Sequence, residues 1–503
     1  MKEILNKIHK FIAKTETPRW LTILLFITLI FRIPSLFEPY YYGDETIYLT
    51  LGQGIRQGVP LYGSLHDNKP PLLYLVSAVA GNIFWLKAIL AFWTMATTIF
   101  FWKLTRVLFP NKQKLQKVAV VVFAILTTIP LLEGNIANAE IFMIGPIIVA
   151  FLLLLSKTLN NGKIFVAGIL FSIAALFKIP AAFDLPVIVI FWLLTTGLNK
   201  TGFKDFIKKT LILASGFVIP IALTFFWYFF KGVFHEYLVA AFLQNIGYLS
   251  SWRPGDIQKP FLVKNLPIIV RSSVVMATCI TLFLSRKRLS RQFIFTTLWL
   301  VFTLFAVTLS ERPYPHYLIQ SVAPISILLA ILISERSLEQ SLVVFPLAIA
   351  FSVPVIYKFW FYPTTSYYIR FAKFASGAIS KNEYFSLFDT NVPRNYKIAG
   401  FIITSTRPSD KIFIWSKDSP TIYALSRRLP SIKYTAPYHI NDFSNKEDVV
   451  ILLSKNIPKL IVLSPDAGPF PQIIPLLKQN YLLINQIGDS EIWSLLTPKN
   501  INL

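Results

Sequence analysis

The sequence predicts an α-helical polytopic membrane protein that ends in a small α/β domain. Two observations carry this. Of the 503 residues, 54% are hydrophobic and 15% charged, too apolar a balance for a soluble chain of this length, and the apolar residues recur in runs long enough to cross a bilayer. After residue 360 the runs shorten and alternate with segments of helical period, as strands interleaved with helices do.

The net charge of +24 is not that of a nucleic-acid-binding face. Its lysines and arginines lie in short loops between apolar runs, which marks the cytoplasmic side of a membrane protein. The single cysteine, Cys279, sits inside an apolar run, so the sequence holds neither a disulfide framework nor a thiolate metal site. The N-terminus is basic and then apolar, but Arg32 and Pro34 follow the first run where a cleaved leader would carry small residues. The first helix is therefore expected to be retained.

Taken in order, residues 1–19 are basic and cytoplasmic, and a span at 20–37 leads outside. An outer juxtamembrane loop, 38–84, follows, with 70–83 lying along the interface. A span at 85–102 returns to the basic loop holding Lys103, Arg106, Lys112, Lys114 and Lys117. Further spans are expected at 118–132, 141–156, 164–177, 185–198, 211–230, 266–284, 293–309, 317–333 and 342–360, about eleven in all. Residues 1–360 thus form a transmembrane domain. The odd number of crossings places residues 361–503 outside. In that region 361–391 reads as aromatic-rich and irregular, with strands at 411–415, 432–435 and 459–463 and near Tyr481 and Ile492. Helices are expected at 420–428, 446–455 and 470–479.

The stretch from Tyr40 to Tyr74 gathers acids, a base and a cation beside the first span. Asp44 and Glu45 open a segment in which Ile47, Tyr48, Leu51 and Ile55 recur at helical spacing, and Gly58 and Pro60 end it. His66, Asp67, Asn68 and Lys69 follow, fixed by Pro70 and Pro71. Two readings stand side by side: a catalytic carboxylate facing a cation, or a helix start with Asp44 as its cap, Glu45 in its first turn and Lys69 as an interfacial anchor.

Most other titratable residues of the spans lie at their outer ends: Glu133, Glu140, Asp184, Glu236, Glu311, Arg312 and His316. Charge gathered at one interface suits an enzyme acting on a lipid headgroup, whereas an ion-coupled transporter would carry it near the midplane. In Arg312-Pro313-Tyr314-Pro315-His316-Tyr317 the prolines fix a turn and the arginine suits a phosphate. Interface anchoring by the tyrosines and Arg312 is the alternative. His235-Glu236 is a poor metal site, because two adjacent residues do not readily share one ion.

These motifs, with Gly58-Val59-Pro60-Leu61-Tyr62 and Lys69-Pro70-Pro71-Leu72-Leu73-Tyr74, resemble the GT-C glycosyltransferases. The resemblance is to the protein O-mannosyltransferases and lipid A aminoarabinose transferases, and covers about residues 20–335. Asn138-Ala139-Glu140, Lys178 and the 312–317 turn fall where that family has comparable features. The resemblance implies a GT-C fold in a bacterial cytoplasmic membrane. It also implies transfer of a sugar, with inversion, from a polyprenyl-phosphate donor to an envelope hydroxyl outside. Asp44 and Glu45 would be catalytic, Lys69, Arg312 and His316 would hold the donor phosphate, and Glu140, His66, Asp67, Tyr62 and Tyr314 would bind substrate.

Two departures bear on this reading. The aminoarabinose transferases carry an acid directly before Lys-Pro-Pro, where this chain has Asn68, so a divalent metal held through that acid is not supported. Residues 361–503 carry no recognisable acceptor-binding motif, so the sequence leaves the donor sugar and the acceptor open. A lipid-linked-sugar transporter and a polyprenyl-diphosphate glycan ligase are the competing functions. The ligase would call for an outer loop rich in arginine and histidine, and 231–262 has one of each.

Overall fold

The computed structural model describes residues 17–196, 200–247 and 260–496. Apolar helices fill its first three-quarters: α1 (Arg19–Arg32), α2 (Gly43–Arg56), α3 (Leu72–Ala80), α4 (Ile83–Leu108), α5 (Gln113–Leu126), α6 (Ala139–Leu154), α7 (Asn161–Phe177), α8 (Leu185–Thr195), α9 (Lys200–Phe230), α10 (Phe261–Ser285), α11 (Arg291–Thr308), α12 (Ile319–Ser334) and α13 (Val344–Ile356). Among the described residues seven helices are long and apolar enough to cross a membrane, and three shorter apolar helices cover Ala139–Leu154, Asn161–Phe177 and Ile179–Thr195.

Within residues 38–84 two glycines mark the ends of helices. The left-handed backbone at Gly58 (φ 76°) follows the end of α2, and Gly81 (φ 69°) ends α3. At nine residues α3 is too short to span. It packs on α2 at Gly52, where an added Cβ would come within 2.6 Å of the Ala78 backbone nitrogen. Gly168 and Gly216 allow a similar approach of α7 to α9.

The C-terminal region differs from expectation in two places. Residues 361–391 are not irregular: they form α14 (Thr364–Ala375) and α15 (Lys381–Ser386). A capping box of Ser380 and Glu383 starts α15, and the aromatic residues pack on one another, Phe374 stacking on Tyr384 at 4.4 Å. Residues 432–435 are not a strand. Pro430 and Pro437 bracket them, and their carbonyls are engaged elsewhere, Lys433 by the His66 N–H at 2.8 Å and Thr435 by the Ser419 hydroxyl at 2.9 Å.

The remaining helices are α16 (Val392–Ser405), α17 (Ser419–Ser426), α18 (Pro437–Phe443), α19 (Lys446–Lys455) and α20 (Ile474–Asn480). They flank a four-stranded sheet of β1 (Ile412–Trp415), β2 (Leu460–Leu463), β3 (Tyr481–Ile487) and β4 (Ser490–Leu495), in the order β1-β2-β4-β3. β1 and β2 are parallel, Phe413 opposite Ile461, and β4 is antiparallel to both β2 and β3. All four residues of β1 are buried because side chains from the two sheet faces enter separate cores. The domain also packs on the helical part: Leu429 and Ala436 belong to the core of the transmembrane region, and Thr50 donates to the Pro420 carbonyl at 3.4 Å.

Candidate active site

Asp44 does not cap α2; the cap position is Tyr42, without a side-chain hydrogen bond. It lies in the first helical turn, where the helix dipole favours a carboxylate. The Tyr48 hydroxyl, one turn later, donates to its Oδ2 at 2.8 Å. Lys69 Nζ stands 3.5 Å from that oxygen, 3.9 Å from Asp67 and 5.0 Å from the centre of the Tyr48 ring.

The Lys69 backbone is held on both sides. Its carbonyl accepts from the Tyr62 hydroxyl at 2.8 Å, and its N–H donates to the Tyr74 hydroxyl at 3.3 Å. Tyr74 in turn donates to Asp67 at 2.8 Å. Pro70 and Pro71 then lead into α3, so the lysine is presented by a stiffened turn.

Facing this pair is a second cluster. Glu140, in the first turn of α6, forms an ion pair with Lys178, which lies over the Tyr317 ring at 3.7 Å. His316 Nδ1 is hydrogen-bonded to Glu133, which also accepts from the Tyr42 hydroxyl at 3.1 Å. His316 Nε2 is 4.0 Å from Glu140, and Tyr314 stacks on the imidazole with ring centres 5.6 Å apart.

Access separates the carboxylates. The Asp44 side chain is 31% exposed, against 3% for Glu140 and 0% for Glu133. Desolvation works to raise the Asp44 carboxyl, but Lys69, His316, the Tyr48 hydrogen bond and Lys178 outweigh it and hold it below the usual value. The site thus offers one reachable, ionised carboxylate against a cluster of cationic side chains.

Of the residues expected at the site, Asp44, Lys69, Glu140, His316, Asp67 and Tyr314 lie in or against this cluster. Four are placed differently. Glu45 turns away from it and, with Glu38, binds the fully buried Lys87, each at 2.8 Å. Glu45 also accepts the Ala137 N–H at 2.6 Å. Burial pushes the Glu45 carboxyl up, a rise that Lys87 opposes and Glu38 reinforces.

His66 is buried among Tyr434, His439 and Phe443 of the C-terminal domain. Tyr62 is buried among Tyr228 and Tyr237 and meets the site through its hydroxyl. The Arg312 side chain is exposed at the turn before His316. Residues 252–256, expected in an outer loop, lie outside the described residues.

In the sequence Lys178 and Glu133 stood out only by position and carried no assigned role, Tyr48 was one of a helical row, and Lys87 went unnoticed. A signal for Lys87 was present, as a lysine inside a long apolar run. No group of three or more His, Cys, Asp or Glu side chains among the described residues is placed to hold a metal ion.

The chain matches no protein-family model and no curated protein sequence. Among solved structures it is similar to ArnT from Cupriavidus metallidurans. The match to ArnT bound to undecaprenyl phosphate has a TM-score of 0.55 at 13% identity and covers 95% of this chain and 98% of that one. The match to apo ArnT has a TM-score of 0.54 at 14% identity and covers 96% and 98%. The oligosaccharyltransferase AglB from Archaeoglobus fulgidus matches at 0.47, with 13% identity over 95% of this chain and 74% of that one, too loosely to bear on function. The fold is therefore of the GT-C type.

Proposed function

We propose that this protein is a membrane glycosyltransferase that moves a sugar from a polyprenyl-phosphate donor to a hydroxyl of an envelope acceptor, outside the membrane and with inversion. The observation that carries this reading is the pairing of the partly exposed Asp44 with Lys69, next to Lys178 and His316. Such a transfer needs a base on the acceptor side and cationic protein groups facing the departing phosphate, which gains negative charge.

In the reaction the acceptor oxygen bonds to the anomeric carbon as the bond from that carbon to the phosphate oxygen breaks. The hydroxyl proton passes to Asp44, and the bonding pair leaves with the lipid phosphate. Charge builds up on an oxocarbenium-like sugar and on the leaving oxygen. Lys69 answers the second, with Lys178 and His316 beside it and Arg312 at the rim. Glu140 and Tyr314 are placed to orient sugar hydroxyls, and Asp67 keeps Lys69 in place. Glu45 acts from below as a positioning residue, because its carboxylate holds the Ala137 amide three residues before Glu140.

Purified protein incubated with a panel of radiolabelled polyprenyl-phosphate sugars tests the proposal. One donor is expected to lose its label by transfer or slow hydrolysis, with a loss of about 10²–10⁴-fold in Asp44→Asn. Equal turnover by wild type and variant would refute Asp44 as the base. Saturable binding of a donor without any turnover would favour a transporter.

A further inference from the structure

A second polar recess, of about 750 Å³, opens at the far end of α2. Gln53 and Arg56 of the last turn of α2, Gln57 just after it, Asn82 just before α4, Trp85 in its first turn and Arg427 of the C-terminal domain line it, and no acid does. Arg56 lies twelve residues from Asp44 on the same helix, about 18 Å at the helical rise. The recess is therefore separate from the candidate active site.

Both guanidinium groups are exposed, and neither has an ion pair or hydrogen bond with another described residue. Arg56 lies across Gly81, where an added Cβ would come within 2.1 Å of Nη1. Arg427 ends α17 in the left-handed conformation (φ 54°), a position that glycine would occupy without strain. Neighbouring apolar side chains set the level of the recess: Val79 is 81% exposed and Trp85 56% exposed at the head of an apolar span. An amphipathic indole there marks the boundary between lipid tails and headgroups.

We infer that this recess seats the phosphate of an anionic lipid headgroup. Two arginine forks match phosphate oxygens in pairs, with the amides of Gln53, Gln57 and Asn82 within the same recess, and the absence of acid leaves the charge uncompensated. One arginine comes from the helical region and the other from the C-terminal domain, so a bound phosphate joins the two beside the membrane.

Native mass spectrometry of the full-length protein, titrated with phosphatidylglycerol or phosphatidylcholine and without sugar donor, tests this independently of catalysis. The wild type is expected to retain phosphatidylglycerol over phosphatidylcholine. Arg56→Gln with Arg427→Gln should weaken that retention by about tenfold or more, and Arg56→Lys with Arg427→Lys should keep part of it in a folded protein. Equal retention by wild type and the glutamine variant would overturn the inference. Displacement of the lipid by millimolar inorganic phosphate, with equal protection against thermal unfolding, would assign the recess to a soluble phosphate compound and overturn the lipid assignment.

Discussion

Replacement of Lys87 by methionine isolates the buried network beneath the site. The ammonium contacts Glu38 and Glu45, each at 2.8 Å, and the Asn135 carbonyl at 2.9 Å, with the lysine and both carboxylates shut off from solvent. Glu38 also accepts from Asn135 at 2.7 Å and from Tyr367 at 2.5 Å. The network thereby ties the end of the first span, α2, the 133–140 loop and α14 together. Methionine fills most of the volume but leaves two buried carboxylates without a cation, which costs about 3–5 kcal/mol. An unfolding entropy of about 2 cal/mol/K per residue gives roughly 1 kcal/mol/K for this chain, so the expected fall in Tm is about 3–5 °C. A thiol-reactive fluorophore reporting the exposure of Cys279, which is partly buried in the fold, reads the transition in detergent. Glu45→Gln added to Lys87→Met removes one of the stranded charges and should recover at least half the loss. A fall of less than 1 °C, or no recovery in the double variant, would refute the network as a structural tie.

Two further perturbations address the elements around Lys69. Burial and the nearby His439 depress the His66 imidazole to about 4. The folded state therefore binds fewer protons than the unfolded one, and its stability is full above about pH 6.5 and declines as pH falls towards 4. Limited proteolysis between the helical region and the C-terminal domain should accelerate over that window, and His66→Phe should flatten the dependence. Gly52→Ala places a methyl 2.6–2.7 Å from the backbone of Ser77 and Ala78, so α2 and α3 must separate. The expected cost is about 1–3 kcal/mol by thermal unfolding, with reduced turnover because Asp44 and Lys69 stand on opposite sides of that contact.

The helical architecture was legible because long apolar runs and basic loops are one-dimensional signals. Strands β1 and β2 were legible for a similar reason, being short apolar runs bounded by turns. The candidate strand at 432–435 carried the same local pattern, yet its carbonyls serve His66 and Ser419, partners that no local pattern reveals. Asp44 and Lys69 were legible from their neighbours in sequence. Lys178, Glu133 and His316 come together only through packing of α6, α7 and the turn before α12, and the inward turn of Glu45 depends on Lys87, 42 positions away.

In the proposed reaction Asp44 removes the proton and Lys69 binds the phosphate, and equilibrium binding of a polyprenyl phosphate tests that division most directly. Lys69→Ala should weaken the lipid phosphate about 10–100-fold, as for the loss of a charged hydrogen-bond partner. Asp44→Asn should bind it at least as well as wild type, having shed a negative charge beside the phosphate. Binding unchanged in Lys69→Ala, or lost in Asp44→Asn, would contradict that division of roles.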